Sequence, residues 1–231
     1  MKYLALIIVV LSLASCKPRK KKCSRGYDLD HPVSVYPVKD SYAIGDTIWF
    51  EMNFSDILNA LVTNNYTGEK FNENIHLKNF DFRRTFLSFF ELVDSSENVA
   101  GQSKSVWKES FDPIYVTGNI IQELPDGPEY KLNYQNNSYH LKIGMILKKS
   151  GVFLHCPIFL HSYAMADGFL NEQDLTSECE TEIITDICFP VNKQLDGSYL
   201  TNYHLFEQFM NPSLENDLDR IKKECFTFVV N

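Results

Sequence analysis

Apolar residues recur at every second position along much of this chain. The clearest stretch is Thr47-Ile48-Trp49-Phe50-Glu51-Met52-Asn53-Phe54. If extended, it sets Ile48, Phe50, Met52 and Phe54 on one face and Trp49 on the other. Residues 33–38 alternate as well, and strand-like runs cover 86–93, 114–121, 130–134, 139–147, 152–160 and 182–189. Gly45-Asp46, Asp126-Gly127-Pro128, Asn136-Asn137, Ser150-Gly151 and Asp196-Gly197 separate these runs with turn chemistry. The pattern predicts a mainly β protein, an antiparallel β-sandwich or barrel. No strand–helix alternation points to a parallel sheet.

Two stretches carry helical spacing. Ser55-Asp56 precede Ile57, Leu58, Leu61 and Val62, which predicts a short capped helix. Near the C-terminus, Leu214, Leu218 and Ile221 form an i, i+4, i+7 stripe. Ser213 as N-cap, Glu215 in the first turn and Lys222-Lys223 in the last complete a predicted helix over 213–224. A final strand follows over 226–230. Residues 163–177 show no period and read as a long loop.

Composition fits this picture. The 231 residues are 44% hydrophobic and include 17 Phe and 12 Tyr, enough for a sizeable core, so the fold need not depend on disulfides or metal. The chain divides into a leader (1–15), a basic tether (16–27), a sandwich domain (28–162) and a C-terminal extension packed on it (163–231). The net charge of −8 conceals an asymmetry: residues 17–25 hold six basic and no acidic residues, whereas the body from Gly26 carries 15 basic and 30 acidic ones. A basic stem of this kind reads first as a flexible solvated spacer, and it would also sit against anionic headgroups, each residue contributing about 1 kcal/mol near the surface. An acidic body argues against nucleic acid and favours cationic or neutral partners.

The N-terminus reads Met1-Lys2, an apolar run from Leu4 to Leu11, then Leu13-Ala14-Ser15-Cys16. The run is too short for a permanent span, which needs about 20 residues. The last four residues resemble the lipobox of bacterial lipoproteins. The resemblance implies removal of residues 1–15 as a signal peptide and acylation of Cys16, which becomes the first residue. Several acyl chains give stable anchoring where one is marginal. In that family a residue other than Asp after the lipid-bearing Cys favours the outer membrane, and Lys17 fits that rule. An acidic patch there directs some lipoproteins to the cell surface. This stem has the opposite charge, which favours the periplasmic face.

Residues 40–50, where Gly45-Asp46 introduces a strong strand, resemble the start of bacterial immunoglobulin-like domains. The stretch from Tyr139 to Phe153 is similar to their corner between strands E and F. Phe153 replaces the corner Tyr, His155 stands where antibody domains place Cys, and Cys156 falls one residue later. The resemblance covers 28–162 and implies an immunoglobulin-like sandwich, but no function.

No Gly-x-Ser-x-Gly, P-loop, His-Glu-x-x-His, Cys-x-x-Cys or complete Ca²⁺ loop is present. His155 and His161 share a strand face about 20 Å apart, and Cys156 faces the other way, so they read as strand residues and not as metal ligands. Glu178, Glu180 and Glu182 alternate as a solvated strand face, with cation binding the less favoured reading. Asp167 to Asp174 read as an acidic loop. Tyr163, Tyr199 and Tyr203 pack loops onto the core, with sugar stacking as the alternative. Besides Cys16 there are Cys23, in the stem, and Cys156, Cys179, Cys188 and Cys225. The last four allow three pairings or none. If 182–189 is a strand, the nine residues from Cys179 to Cys188 span about 30 Å, so any bridge joins one of them to Cys156 or Cys225. No catalytic residue, cofactor or metal is assigned. The expected role is binding or assembly at the envelope with a protein or glycan partner. The alternatives are a hydrolase or a carbohydrate-binding accessory acting on envelope or imported polymers.

The lipid assignment makes a prediction. Mass spectrometry of membrane-extracted protein finds Cys16 acylated as the first residue, and Cys16→Ala protein leaves the membrane fraction. Full membrane retention of that variant contradicts the assignment.

Overall fold

The structure, a computed structural model, describes residues 21–77, 85–92, 104–124, 127–159, 179–209 and 218–231. Its strands are β1 (Lys21–Asp30), β2 (Val33–Tyr36), β3 (Ser41–Tyr42), β4 (Thr47–Ser55), β5 (Ile57–Asn64), β6 (Lys70–His76), β7 (Thr85–Leu92), β8 (Lys104–Ser105), β9 (Phe111–Thr117), β10 (Asn119–Leu124), β11 (Gly127–Lys131), β12 (Asn133–Gln135), β13 (Ser138–Leu147), β14 (Gly151–Phe159), β15 (Cys179–Cys188) and β16 (Phe226–Val230). Short helices are α1 (Trp107–Ser110), α2 (Tyr203–Glu207) and α3 (Leu218–Glu224). Among the described residues no helix is long and apolar enough to cross a membrane.

The strands form three sheets. A front sheet has the order β12-β13-β4-β2, with β9 also on β13. A back sheet runs β10-β11-β7-β14-β16-β3, with β8 on β7. A side sheet runs β15-β1-β5-β6. The molecule is mainly β, built of layered and mostly antiparallel sheets, and the described residues form no closed barrel. Two pairings are parallel, β1 with β15 and β3 with β16. They join segments distant in the chain, so no crossover helix announces them.

Alternation places the core as expected. Ile48, Phe50, Met52 and Phe54 are 0–6% exposed, while Trp49 lies half-buried on the opposite face. Across β13, Tyr139, Leu141, Ile143, Met145 and Leu147 bury the same face of the front sheet. Phe89 of β7, Phe153 and His155 of β14, and Phe226 and Phe228 of β16 face them from the back sheet. Phe50 meets Phe89 edge-on at 5.6 Å and His155 at 4.3 Å, and Phe111 meets Phe153 at 5.2 Å. Aromatic pairs at these separations stabilise beyond the area they bury.

Several expectations need correction. The helix expected after Ser55-Asp56 is strand β5. Its apolar residues also fit a period of two, with Ala60 and Val62 fully buried, and β1 and β6 supply partners on both sides. The Asp56 carboxylate caps no helix and accepts a hydrogen bond from the Tyr134 hydroxyl at 2.6 Å. The run 114–121 breaks at Gly118 (φ +96°), where a Cβ would lie 2.5 Å from Leu141 Cδ1. Thus β9 joins the front sheet and β10 the back sheet. The tether expected over 16–27 is already strand from Lys21, paired with β15 along its length. The C-terminal segment does more than pack on the sandwich, because β16 lies inside the back sheet between β14 and β3. The C-terminal helix is present as Leu218–Glu224; Ser213, Glu215 and the loop 163–177 lie outside the described residues.

The bridge is also a correction. Cys156 pairs with Cys225, Cα to Cα 4.3 Å, and neither Cys179 nor Cys188 takes part in it. His155 opposes Phe226 in the β14–β16 ladder, which brings Cys156 and Cys225 side by side. Closing a loop of this length stabilises the fold by about 4 kcal/mol in the chain-entropy account. Cys179 and Cys188 stand at the two ends of β15, which begins three residues before the strand expected over 182–189.

Two histidines are sealed in this interior. His31 is 1% exposed and His155 0%. Burial pushes His31 down from 6.5 to about 4, against a hydrogen bond at Leu29 and the Asp30 charge. Burial pushes His155 down to about 3, partly offset by the Ser88 carbonyl, to which Nδ1 donates at 3.2 Å. Both rings are therefore neutral in the folded protein near neutrality. The unfolded chain takes up these protons near pH 6.5, so the contribution is complete above that pH and is lost as pH falls towards 4 and 3. Between pH 6.5 and 4.5, the native chain should lose about 2–3 kcal/mol more unfolding free energy than His155→Leu does. Urea titrations at both pH values test this, and identical losses would refute it.

Candidate functional site

The concave feature richest in converging polar groups lies on the outer face of the side sheet. In β1, Tyr27 and Leu29 point into the core, so Asp28 and Asp30 point out. In β5, Ala60 and Val62 point in, so Asn59 and Leu61 share the outer face, and Asn72 lies opposite Leu61 in β6. Cys188 at the end of β15, Pro190, Tyr199, and Lys223 and Glu224 at the end of α3 close the other wall. The cleft between them measures about 390 Å³, within the range of small-ligand sites.

Glu224 is the most constrained acid in it, 4% exposed. Its carboxylate accepts from Arg220 Nε at 3.2 Å, from the Phe189 backbone N–H and from the Cys188 thiol. Burial holds its carboxyl above the usual range, while the Arg220 guanidinium and these hydrogen bonds pull the other way. Asp30 is held from the rim by Lys193 Nζ at 2.9 Å, a hydrogen bond that raises the Lys193 ammonium. Of the remaining lining, Asn59, Asn72 and Tyr199 both donate and accept, and Lys223 donates. With Lys223 in the lining, and Asp30 and Glu224 each paired with a base, the cleft is polar and mixed in charge and suits a hydrogen-bonding ligand. Among the described residues no group of three or more His, Cys, Asp and Glu converges to hold a metal ion.

The residues singled out in the sequence are scattered by the fold. His155 is a core residue and Cys156 is in the bridge. Glu180 and Glu182 lie in β15 opposite Lys22 and Ser24 of β1. Tyr203 packs on Phe206 with Lys222 over its ring, and Tyr199 alone of the three tyrosines lines the cleft among the described residues. Cys16, Tyr163, His161, Glu178 and Asp167 to Asp174 lie outside the described residues. Sequence reasoning missed Asp28, Asp30 and Glu224, which no motif spacing links. The available signal was the alternation Tyr27-Asp28-Leu29-Asp30.

No protein-family model matches this chain, and no curated protein matches it.

Proposed function

We propose that this chain is an exported bacterial lipoprotein, anchored through Cys16 in the outer membrane and facing the periplasm. Its body is an immunoglobulin-like sandwich with a non-catalytic binding or assembly role. The lipobox supports the location. Strand order supports the fold: β2-β4-β13-β12 follows the A-B-E-D order of an immunoglobulin domain, and β7-β14-β16 follows C-F-G. In that lettering the side sheet is made of a strand before A (β1), the B–C connection (β5 and β6) and the F–G connection (β15). In immunoglobulin variable domains the B–C and F–G connections at one end form the binding surface. The observation that carries the reading is that the polar cleft sits on this added sheet. Its partner is a cationic or neutral envelope protein or glycan.

One observation favours a second reading, a hydrolase. A raised carboxyl such as Glu224 in a cleft that also holds Asp28 and Asp30 has the character of a general acid. Two experiments separate the readings. A photo-cross-linking residue at Tyr199 in the full chain should give one discrete envelope adduct that Asp28→Lys abolishes. The full chain incubated with peptidoglycan, polysaccharide and ester substrates should give no turnover. Turnover lost in Glu224→Gln overturns the binding reading.

A further inference from the structure

A second surface is independent of the cleft. Because Phe50, Met52, Ile143 and Leu141 face the core, their neighbours in β2, β4 and β13 share the outer face of the front sheet. Tyr36, Trp49 and Gly144 form one cross-strand row, and Ser34, Glu51, Lys142 and Thr117 the next. At Gly144 a Cβ would lie 2.8 Å from Trp49 Cζ3 and 3.0 Å from Cε3 and Cη2. Three ring atoms at nearly equal distance mean that the indole lies flat on the glycine backbone, which no larger residue permits. Tyr36 is fixed beside it by a hydrogen bond from its hydroxyl to Glu51 Oε2 at 2.7 Å.

Next to this aromatic pair runs a groove of about 300 Å³. Thr117, Asn133, Gln135, Asn136 and His140 contribute to its walls. Asn136 and Asn137, both with positive φ, form the two-residue turn joining β12 to β13 and so fix that end. The charged pair in the groove, Glu51 and Lys142, is of opposite sign and 3.7 Å apart. Lys142 Nζ also rests 5.4 Å from the Tyr36 ring centre and 5.5 Å from that of Trp49.

We propose that this face binds a neutral glycan chain, with a pyranose ring on Trp49 and its neighbour's hydroxyls in the amide-lined groove. The apolar C–H face of a sugar matches a flat indole. Hydroxyls donate and accept, as carboxamides and the Thr117 hydroxyl do. The self-neutralised Glu51–Lys142 pair favours an uncharged ligand over either an anion or a cation. Lys142 Nζ, 5.5 Å from the Trp49 ring centre, turns off the indole on its long flexible side chain when the sugar stacks and stays paired with Glu51.

The test uses the full chain in detergent, titrated with maltohexaose, cellohexaose, xylohexaose and mannohexaose by calorimetry and tryptophan fluorescence. At least one should bind with a Kd below about 1 mM. Trp49→Ala should weaken it about tenfold or more. Asn133→Ala combined with Gln135→Ala should do the same, and covers the case in which Trp49→Ala does not fold. Tyr66→Ala, which removes an exposed aromatic at the β5–β6 turn, should change nothing. The proposal is overturned if none of the four binds, or if both variants bind as the native chain does. Tight binding of tetramethylammonium at Trp49 also overturns it, because that would make Tyr36, Trp49 and Glu51 a cation cage.

Discussion

A layer of aromatic rings between the front and back sheets holds this structure together. Phe50, Phe89, Phe111, Phe153 and Phe228 are each at most 2% exposed, and each touches at least one of the others. Burying such a side chain stabilises by about 1.5–3 kcal/mol. The layer also fixes direction. A strand whose even-numbered residues fill it must turn its odd-numbered ones outward, and a slip of one residue would invert every strand face. His155 shows how dry the layer is: its ring stacks on Phe89 at 4.7 Å and stays neutral. The Cys156–Cys225 bridge then ties β14 to the segment entering β16, so the C-terminus cannot leave the sheet it completes.

Much of the sandwich was legible in the sequence because its strands pair one buried face with one open face. Residues 47–54, 139–147 and 226–230 declare themselves that way. Residues 57–64 did not, because Ile57, Leu58, Leu61 and Val62 suit a helical stripe and a strand alike. Pairing with β1 and β6 decided the matter, and pairing is non-local information. The same limit hid the parallel β1–β15 ladder and the position of β16 inside the back sheet. Gly118 was visible as a residue but not as a switch between sheets. That role depends on Leu141 standing 2.5 Å from where its Cβ would be. The cleft was the least legible feature. Asp28, Asp30 and Glu224 meet only after the side sheet forms and α3 closes against it.

The two surfaces follow from the same constraint. The side sheet keeps Tyr27, Leu29, Ala60 and Val62 for the core and is left with acids and amides outside. The front sheet keeps Phe50 and Ile143 inside and is left with Trp49, Tyr36 and a balanced ion pair outside. One surface is a polar cleft of mixed charge; the other presents an aromatic pair beside a balanced ion pair. Their chemistries suit different ligands.

The central claim is that β4 buries Phe50 and presents Trp49. The two tryptophans of the chain test it directly, since Trp107 is 1% exposed and Trp49 lies on the outer face. Acrylamide quenching of Trp107→Phe protein reports Trp49 alone, and of Trp49→Phe protein reports Trp107 alone. The account predicts more quenching and redder emission for Trp49 than for Trp107, with Trp107 protected until the chain unfolds. A Trp49 shielded as completely as Trp107 would mean that the strand faces are inverted, and would contradict both the core and the surfaces built on it.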